Sequence, residues 1–382
     1  MRYIQKYILE DLKNKMVFIS GPRQSGKTTL AKEATNKKST LYLNWDDIIE
    51  KKIILKRDWS EEVKIIVLDE IHKYGRWKNF LKGTYDVQKN QHSFLITGSA
   101  RLDIFKKGQD SMLGRFFSWR LHPLCLSELV NNFKILEKNL LIKLLTLGGF
   151  PEPFFKNDLA YSKRWRNEKI KLIFRQDIRE LENIKDLSLL EIFYFALTER
   201  VGSEIILTNI ARDLEIAPKT AKNWLAILEK TYALFIVRPY SKNLAKAILK
   251  TPKIYFYDNG EVTGSEGVKF ENLVAQHLYK KIQFLEDLTG DRYDLNYIRD
   301  RNGHEVDFLI IKNRNPILLI EAKLSEANSS PHLFYFMEKL KLKHSIQLVL
   351  NLTKTKTQNG VKIISANHWL STPLETEFEK MI

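Results

Sequence analysis

The chain has 382 residues, of which 44% are hydrophobic and 28% are charged, and this length favours two to four compact domains over a single one. The composition excludes the collagen-like, coiled-coil and intrinsically disordered classes. The 62 Lys and Arg residues exceed the 46 Asp and Glu residues by a formal charge of +16, which favours a polyanionic partner such as nucleic acid, although the lysine-rich composition of AT-rich genomes also explains it.

The sequence also bears on the compartment of the protein. Its apolar runs are all shorter than the roughly 18 residues needed to span a bilayer, and residues 1–20 lack the apolar core of a secretory signal. The single cysteine, Cys125, cannot form an internal disulfide, which agrees with a reducing compartment, and we interpret it as a small buried hydrophobe. We therefore expect a soluble, cytoplasmic protein without a membrane partner.

Apolar runs alternate with segments of helical periodicity over the N-terminal third of the chain, which predicts a parallel α/β sheet. Turn residues bound each run, and the predicted strands are Lys15–Ile19, Thr40–Asn44, Lys64–Leu68 and Phe94–Thr97. We place this first domain at residues 1–130.

A glycine-rich loop follows the first predicted strand and precedes a predicted helix. It matches the phosphate-binding pattern G-x-x-x-x-G-K-S/T at every position, with the sequence Gly21-Pro22-Arg23-Gln24-Ser25-Gly26-Lys27-Thr28. Backbone N–H groups of such a loop surround phosphate oxygens, and the helix N-terminus adds a favourable dipole. The sequence therefore predicts an ATP site in which Lys27 contacts the β and γ phosphates, Thr28 ligates Mg²⁺ and Thr29 completes the nucleotide-binding set.

Two carboxylates, Asp69 and Glu70, follow the third predicted strand. Mg²⁺ and the attacking water need carboxylates at the end of a strand that neighbours the phosphate loop. We predict that Asp69 holds Mg²⁺ through water and that Glu70 polarises the water that attacks the γ phosphate. The alternative is that the two residues only cap the helix that begins at Ile71.

Two further residues are candidates for the same site. Ser99 follows the fourth predicted strand, where a small polar group can sense the γ phosphate. Arg115, in the segment Leu113–Arg115, is a candidate arginine finger that acts either within its own subunit or on a neighbour. The alternatives are that Ser99 is only a turn residue and that Arg115 is only a surface charge.

Several of these segments together resemble the prokaryotic AAA+ ATPases of the AAA_14 type that carry a C-terminal DUF4143 region. The segments are Gly21–Leu30, Leu68–His72, Thr97–Ser99, Gly114–Arg115 and Leu121–Leu124. The resemblance covers most of the chain. It implies an AAA+ fold with ATP binding and hydrolysis, and it names no client.

The middle of the chain is predicted to be largely helical. Amphipathic helices extend from Pro123 to Glu199, broken at Gly148–Pro153, and we interpret residues 131–203 as a helical connector. Residues 204–260 contain two helices with helix-turn-helix spacing followed by two short strands, which is typical of a winged helix.

The helix-turn-helix candidate has a first helix at Leu207–Leu214 and a second at Lys219–Leu228. In a DNA reader the second helix offers exposed polar side chains to the major groove. Residues 207–230 carry four basic and three acidic residues, so their nearly balanced charge does not indicate phosphate binding. The sequence therefore leaves two interpretations of this helix pair, a DNA-reading module and a protein-docking module.

A more basic segment lies within the connector. Residues 163–180 contain seven basic and three acidic residues, with Tyr161, Trp165 and Phe174 beside or among them. Cations for phosphates and rings for stacking suit a nucleic-acid groove. The alternative is an amphipathic helix whose aromatic side chains face the core.

Residues 261–382 are predicted to form a second α/β domain, with polar residues near the ends of two neighbouring strands. Asp307 lies in the first strand, Glu321 and Lys323 lie in the second, and Glu271 lies on the helix that enters the domain. Glu321 and Lys323 are two residues apart on a strand and so share a face, where their burial is costly without a purpose.

This set of side chains resembles the PD-(D/E)xK phosphodiesterase superfamily, whose fold is restriction-endonuclease-like. The resemblance implies that Asp307 and Glu321 are Mg²⁺ ligands, that Glu271 is an accessory ligand, and that Lys323 orients the attacking water. The same side chains can instead form a buried ion-pair network in a fold that only grips DNA.

The sequence therefore predicts an ATP-driven AAA+ protein that acts on DNA, with a P-loop domain, a helical connector, a winged helix and a nuclease-like C-terminal domain. The alternative is an ATP-switched regulatory or binding protein that recognises DNA or a partner without cleavage. Formation of a homo-oligomer is left open.

Overall fold

The computed structural model describes residues 1–34, 39–98, 112–137, 139–179, 184, 186–241, 251–325, 328–352 and 354–381. The chain divides into two compact units: unit 1 comprises Met1–Pro123 with Lys230–Tyr232, and unit 2 comprises Leu124–Glu229 with Ala233–Ile382. In the described part of the chain, every helix is too short or too polar to cross a bilayer.

Unit 1 is built on a parallel sheet. Its strands are β1 (Met16–Ser20), β2 (Thr40–Asn44), β3 (Ile65–Asp69), β4 (Ser93–Thr97) and β5 (Phe116–Arg120). Its helices are α1 (Gln5–Asp11), α2 (Lys27–Ala34), α3 (Ile48–Lys56) and α4 (Trp77–Gln88), with a 3-10 turn at Ile71–Lys73. The predicted parallel α/β sheet is confirmed, and β5 is an edge strand that the sequence prediction lacks because its residues are only partly buried.

The strand order in unit 1 is β2-β3-β4-β1-β5, and all neighbouring pairs are parallel. All residues of β1 are buried, as expected for a central parallel strand covered on both faces. Parallel strands end at the same edge of the sheet. The loop after β1 therefore lies at the same edge as Asp69, which ends β3, and Thr97, which ends β4.

Unit 2 begins with a run of helices. They are α5 (Leu126–Asn131), α6 (Leu140–Leu147), α7 (Pro151–Lys156), α8 (Leu159–Leu172), a π-helical turn (Ile173–Ile178), α9 (Leu187–Thr198), α10 (Leu207–Asp213) and α11 (Pro218–Lys230). The predicted break is confirmed: α6 ends before Gly148, which has a φ of +76°, and Pro151 begins α7. A glycine is needed there because a Cβ would lie 2.1 Å from Asp258 Oδ1.

The C-terminal part of unit 2 is α/β, as predicted. Its strands are β6 (Leu234–Pro239), β7 (Lys253–Phe256), β8 (Tyr293–Arg299), β9 (Glu305–Lys312), β10 (Asn315–Lys323), β11 (Ser345–Val349), β12 (Lys356–Gln358) and β13 (Val361–Ser365). The helices are α12 (Glu266–Thr289), α13 (Pro331–Leu340) and α14 (Ala366–Leu370), with 3-10 turns at Asn259–Glu261 and Phe378–Lys380.

The strands of unit 2 form one eight-stranded sheet in the order β12-β13-β11-β10-β9-β8-β6-β7. The two strands predicted for the winged helix, β6 and β7, are therefore not a free-standing wing. β6 pairs with β7 antiparallel and with β8 parallel, through Arg238 opposite Asn296 and Pro239 opposite Tyr297. The strands of the predicted winged-helix segment thus extend the C-terminal sheet.

The helix pair of that segment does form. α10 and α11 occupy nearly the predicted positions, and the predicted apolar face of α11 is buried at Ala221, Trp224, Leu225 and Leu228. Lys219 and Lys222 are exposed on the other face. The geometry agrees with helix-turn-helix spacing, and its use for DNA or for protein docking stays a prediction.

Candidate functional site

The phosphate loop joins β1 to α2 in a conformation that only glycine permits at its first position. Gly21 has a φ of +141°, and a Cβ there would lie 2.3 Å from the carbonyl oxygen of Leu121. Lys27 Nζ donates to the carbonyl oxygens of Gly21 and Pro22 at 2.9 and 2.8 Å. The ammonium group of the lysine predicted to contact phosphates is therefore hydrogen-bonded to the backbone of its own loop.

A residue outside the motif anchors the loop. The buried Arg2 guanidinium donates to the carbonyl oxygen of Ser25 at 2.6 Å and to that of His122 at 2.6 Å. It thus ties the loop to the segment that follows β5. Sequence reasoning missed Arg2, because its partners are backbone carbonyls and leave no signature in the sequence.

Asp69 is buried and surrounded by hydroxyl donors. Its Oδ2 accepts from Thr28 Oγ1 at 2.8 Å and from Tyr42 OH at 2.6 Å, and its Oδ1 accepts from Thr97 Oγ1. The structure therefore brings together the two residues predicted to hold Mg²⁺, Thr28 and Asp69. Tyr42 and Thr97 were missed, although each lies in a strand adjacent to β3.

Glu70 lies beside this group on a strained turn. Its φ is +56°, and its backbone N–H donates to the Thr97 carbonyl oxygen at 3.0 Å. Burial is the main cause that raises the pKa of the Glu70 carboxyl above its ordinary value, against the opposing charge of Lys73. Its Oε2 lies 3.4 Å from His72 Nε2.

The alternative role of Asp69 and Glu70 was to cap the helix that begins at Ile71, and their side-chain contacts in the structure are different. Glu70 occupies the N-cap of the 3-10 turn, but within the described residues its side chain makes no capping hydrogen bond. Asp69 bonds to side-chain hydroxyls of α2, β2 and β4 instead. The Asp69 carboxylate is therefore directed to the start of α2, and Glu70 lies next to it at the end of β3, with its Oε2 near His72 and Lys73.

The structure locates only one of the two further candidates for this site, Arg115. Ser99 lies outside the described residues. Arg115 precedes β5, and its backbone carbonyl accepts from Met16 N–H at the start of β1, whereas the phosphate loop follows the end of β1. At about 3.3 Å per residue, β1 separates Arg115 from its own loop by roughly the length of the strand, and the guanidinium pairs with Asp86 at 2.8 Å. Arg115 is therefore not placed to act on its own subunit's nucleotide.

In unit 2, the predicted C-terminal carboxylates and lysine come together. Lys323 Nζ lies 2.7 Å from Glu321 Oε1, which confirms that these residues share a face of β10. Asp307 Oδ2 accepts from the backbone N–H of Ala322 at 2.9 Å, because β9 pairs with β10. Burial, followed by the negative charge of Glu271, raises the pKa of Asp307 to about 8.

Three further side chains complete this cluster, and sequence reasoning missed them. Lys253 is 3% exposed, and its Nζ lies 2.6 Å from Glu305 Oε1 and 3.8 Å from Glu271 Oε1. Tyr255, on the same face of β7, donates its hydroxyl to Glu271 Oε1 at 2.7 Å. Burial opposes the charged form of Lys253, but the carboxylates, Glu271 first, outweigh burial and raise the pKa of the ammonium group.

The carboxylate cluster is thus partnered by two lysines. No group of three or more His, Cys, Asp or Glu side chains in the described part of the chain is arranged to hold a metal ion. Ligation of Mg²⁺ by Glu271, Asp307 and Glu321 accordingly stays a proposal.

The basic segment of the connector forms part of α8 and the π-helical turn, and two of its cations are buried in ion pairs. Arg166 Nε lies 3.2 Å from Asp258 Oδ2, and Lys169 Nζ lies 3.3 Å from the same oxygen and 2.5 Å from Glu261 Oε1. Tyr194 OH donates to the other oxygen of Glu261. This buried set, which we call the Asp258 network, fixes α8 against the turn that follows β7.

The remaining basic side chains of the segment are exposed, whereas its rings are not. The exposed cations are Lys163, Arg164, Lys171, Arg175 and Arg179, and the buried rings are Trp165 and Phe174. The burial of Trp165 and Phe174 agrees with the amphipathic-helix alternative and removes these two rings as stacking platforms, whereas Tyr161 is half-buried and its hydroxyl donates to Glu152. The exposed cations remain available to a polyanion.

Three family models match consecutive parts of the chain. An AAA domain model matches residues 13–130, and two models of domains of unknown function match residues 138–267 (DUF8612) and 266–369 (DUF4143). Residues 13–130 are therefore similar to AAA domains, and residues 266–369 are similar to DUF4143 domains.

Curated relatives of the chain carry no assigned activity. An uncharacterized protein of Methanocaldococcus jannaschii is 26% identical over 350 residues, which cover 82% of this chain and 76% of that protein. An uncharacterized protein of Mycobacterium tuberculosis is 24% identical over 247 residues, which cover 64% of this chain and 54% of that protein. The chain thus spans about half the length of the mycobacterial relative.

Among solved structures, the chain is similar to a Walker-type ATPase of Pyrococcus abyssi. The TM-score is 0.41 and the sequence identity is 14%, over 69% of this chain and 94% of that chain.

Proposed function

We propose that this chain binds ATP with Mg²⁺ at the phosphate loop of unit 1 and hydrolyses it. The observation that carries the proposal is the 2.8 Å hydrogen bond between Thr28 and Asp69, which joins the phosphate-loop motif to the carboxylate motif. A hydroxyl and a carboxylate are oxygen donors of the kind that Mg²⁺ prefers. The residues present therefore fit the ion that the AAA domain implies.

The roles of the side chains follow from their positions. Lys27 and the loop N–H groups bind the phosphates, and Mg²⁺, when bound at Thr28 and Asp69, neutralises charge on the phosphate oxygens. Glu70 accepts a proton from the attacking water, for which the burial of its carboxyl makes it a stronger base. Arg115 acts on the nucleotide of a neighbouring copy of the chain, since its own loop lies at the other edge of the sheet.

Two substitutions test ATP hydrolysis. Lys27→Ala should abolish nucleotide binding, whereas Glu70→Gln should preserve binding and lower turnover by about 10²-fold to 10⁴-fold, because only the proton acceptor is lost. Fluorescent-nucleotide titration and phosphate release measure the two effects. Glu62→Gln, at an exposed carboxylate of the same unit, is the matched control and should change neither. Undiminished turnover in Lys27→Ala would contradict the ATPase proposal.

The proposal extends to DNA through unit 2. Asp307, Glu321 and Lys323 lie together at neighbouring strands, and the exposed cations of α8 are available to a phosphate backbone. In the cleavage form of the proposal, Asp307 and Glu321 would hold a divalent cation, with Glu271 as an accessory ligand, and the ion would supply positive charge to the phosphodiester. Lys323 would orient the attacking water.

One observation favours a second candidate function, an ATP-switched protein that recognises DNA or a partner without cutting it. Lys253 lies within hydrogen-bond distance of Glu305 and near Glu271, so the cluster already contains a buried cation. A lysine that balances the carboxylates stabilises the fold without metal. The non-cleaving form needs no divalent ion at this cluster.

A metal-dependent nicking assay on supercoiled, linear and single-stranded DNA separates the two forms. In the cleavage form, Asp307→Asn and Glu321→Gln abolish Mg²⁺- or Mn²⁺-dependent nicking and leave ATP turnover unchanged, because the ATP site lies in unit 1. Lys323→Ala slows nicking more than it weakens metal binding. Absence of nicking by the parent chain on every DNA form, with a sharp fall in melting temperature for Asp307→Ala, would establish the non-cleaving form.

A further inference from the structure

A cavity of about 430 Å³ opens on unit 2 beside the Asp258 network. Its walls come from α8, the C-terminal end of α6, the 3-10 turn after β7 and the first turn of α12. The polar side chains of its lining are those of Thr146, Lys163, Arg166, Asn259, Glu266 and Lys269, and Gly260 adds backbone. Neither the ATP site nor the carboxylate cluster contributes a residue to this lining.

The lining of this cavity is mainly cationic. Lys163 and Arg166 lie one turn apart on α8, and Lys269 lies in the first turn of α12. Glu266 is the acidic side chain of the lining, and Arg166 is already paired with Asp258, so Lys163 and Lys269 supply the excess of positive charge. A concave surface with a low-dielectric wall concentrates the field of such charges. The lining therefore favours an anionic ligand.

Arg166 is held in place before any ligand arrives. Its Nε lies 3.2 Å from Asp258 Oδ2, and its Nη2 donates to the carbonyl oxygen of Leu147 at 2.6 Å. The turn after β7 lies directly against the guanidinium, since a Cβ on Gly260 would be 1.9 Å from Arg166 Nη2. An arginine fixed in this way loses little conformational entropy when it binds an anion.

The size and the apolar wall narrow the ligand class. A volume of about 430 Å³ exceeds the need of a single phosphate and lies within the roughly 300–1,000 Å³ of small-molecule sites. Leu145 and Leu159 line the cavity beside the cations. A ligand with a phosphate and a less polar moiety of moderate size, such as one nucleotide unit, matches both parts.

We propose that this cavity binds a nucleotide unit through its phosphate, with Lys163, Arg166 and Lys269 as the phosphate contacts. The same chemistry is offered by a nucleotide of a DNA strand and by a free nucleoside monophosphate. The inference deepens the proposed action on DNA, because it identifies a phosphate contact in unit 2 that is separate from the ATP site.

The first arm of the test measures DNA binding by the full chain. Lys163→Glu combined with Lys269→Glu should weaken binding of labelled single-stranded DNA at least about tenfold, and the slope of log affinity against log salt should become shallower by about 1 to 2, because about two phosphate contacts are lost. Fluorescence anisotropy between about 50 and 200 mM salt measures both the affinity and its salt dependence.

A matched control separates the cavity from bulk charge. Lys354→Glu combined with Lys356→Glu makes the same change of charge at exposed positions in and beside β12, at the opposite edge of the eight-stranded sheet from β7. This control should change DNA affinity by less than about threefold. Equal loss in the control and in the cavity variant would overturn the proposal.

The second arm distinguishes a free nucleotide from a DNA strand. AMP is titrated calorimetrically into Lys27→Ala, so that the ATP site does not contribute, and into Lys27→Ala with the two cavity substitutions. AMP binding that the cavity substitutions abolish supports the cavity with a free nucleotide as the source. DNA binding that they weaken, without AMP binding, supports a DNA strand as the source.

Folding and the ATPase proposal are checked in the same variants. The milder pair Lys163→Gln with Lys269→Gln should reproduce part of the loss, and its melting temperature should equal that of the parent. ATP turnover should be unchanged in both cavity variants, so failure of the ATPase proposal leaves the cavity result intact. If neither DNA nor AMP binding depends on the cavity, the proposal is wrong.

Discussion

The two carboxylate sites of this chain differ in the partners that hold them. In unit 1, Asp69 is held by the hydroxyl groups of Thr28, Tyr42 and Thr97, which are neutral. In unit 2, the carboxylate cluster is held largely by the ammonium groups of Lys253 and Lys323.

This difference bears on what each site can bind. A carboxylate held by hydroxyl donors keeps its negative charge uncompensated and can still balance a divalent cation. A carboxylate paired with a buried lysine is already balanced, so a metal must displace or outcompete that lysine. Under the proposed function, Asp69 of unit 1 is therefore the better candidate to hold a divalent ion, whereas the carboxylate cluster of unit 2 is already balanced by its lysines.

The largest expected effect comes from removing the buried lysine of unit 2. Lys253→Met should lower the free energy of unfolding by about 3–5 kcal/mol, because the half-buried Glu305 and Glu271 would lose the buried cation that balances their charge. Chemical denaturation monitored by circular dichroism measures the loss. Lys323→Met is the comparison variant and should cost less, since the Lys323 side chain is 41% exposed.

A divalent cation sharpens this prediction. If the carboxylates can take a metal once the lysine is gone, Mg²⁺ or Mn²⁺ should raise the melting temperature of Lys253→Met more than that of the parent. Parent-like stability of Lys253→Met without metal would contradict the lysine-balanced description of unit 2.

The second prediction concerns a neutral group in the buried interior of unit 2. His277 Nε2 accepts the backbone N–H of Leu126 at 3.0 Å, and its Nδ1 donates to the Leu273 carbonyl oxygen at 2.7 Å. Burial is the main cause that lowers the pKa of His277 to about 4, and the charge of Lys280 adds to it. Around it lie Cys125, Lys281 and Glu128, which pairs with Lys280.

The sign of the pH dependence follows from the lowered pKa. The unfolded chain takes up a proton at His277 near pH 6.5, whereas the folded chain does so only near pH 4, so stability is present above pH 6.5 and is lost as the pH falls toward 4. The loss from this group is about 3 kcal/mol at most. Denaturation at several pH values should show a shallower pH dependence for His277→Gln than for the parent. An unchanged slope would contradict the neutral buried histidine.

The third prediction tests the hydroxyl-held carboxylate of unit 1. Tyr42→Phe removes one hydrogen-bond donor to Asp69. It should lower the free energy of unfolding by about 2 kcal/mol, which is the usual contribution of a hydrogen bond to a charged group. The Mg²⁺ concentration needed for half-maximal ATP turnover should shift in the variant, which a purely structural role would not cause. Tyr74→Phe is the control, at a tyrosine of the same unit that stacks on Trp45.

The smallest expected effect on nucleotide affinity belongs to Arg115. Arg115→Ala should change ATP affinity by less than about twofold, because exposed ion pairs such as Arg115–Asp86 contribute little and lie far from the loop. If Arg115 acts on a neighbouring copy, the rate of ATP turnover per molecule of the parent chain should rise with protein concentration. Arg115→Ala should lose that dependence. A large loss of ATP affinity would instead place Arg115 in its own subunit's site.

Local sequence signals determined much of this molecule. The phosphate loop, the carboxylates at the end of β3, the first four strands of unit 1 and the break at Gly148 can be predicted from sequence, because a motif or a hydrophobic period indicates each of them within a few consecutive residues. The positions of Asp307, Glu321 and Lys323 were predicted in the same way, since two neighbouring strands bring them to one place.

Tertiary structure alone decided which distant residues complete each site. Arg2 reaches the phosphate loop through backbone carbonyls, Tyr42 reaches Asp69 because β2 pairs with β3, and Lys253 reaches Glu305 and Glu271 because β6 and β7 extend the C-terminal sheet. These contacts join residues far apart along the chain. Strand pairing and side-chain packing in three dimensions create them, and no local periodicity or spacing encodes such a partner.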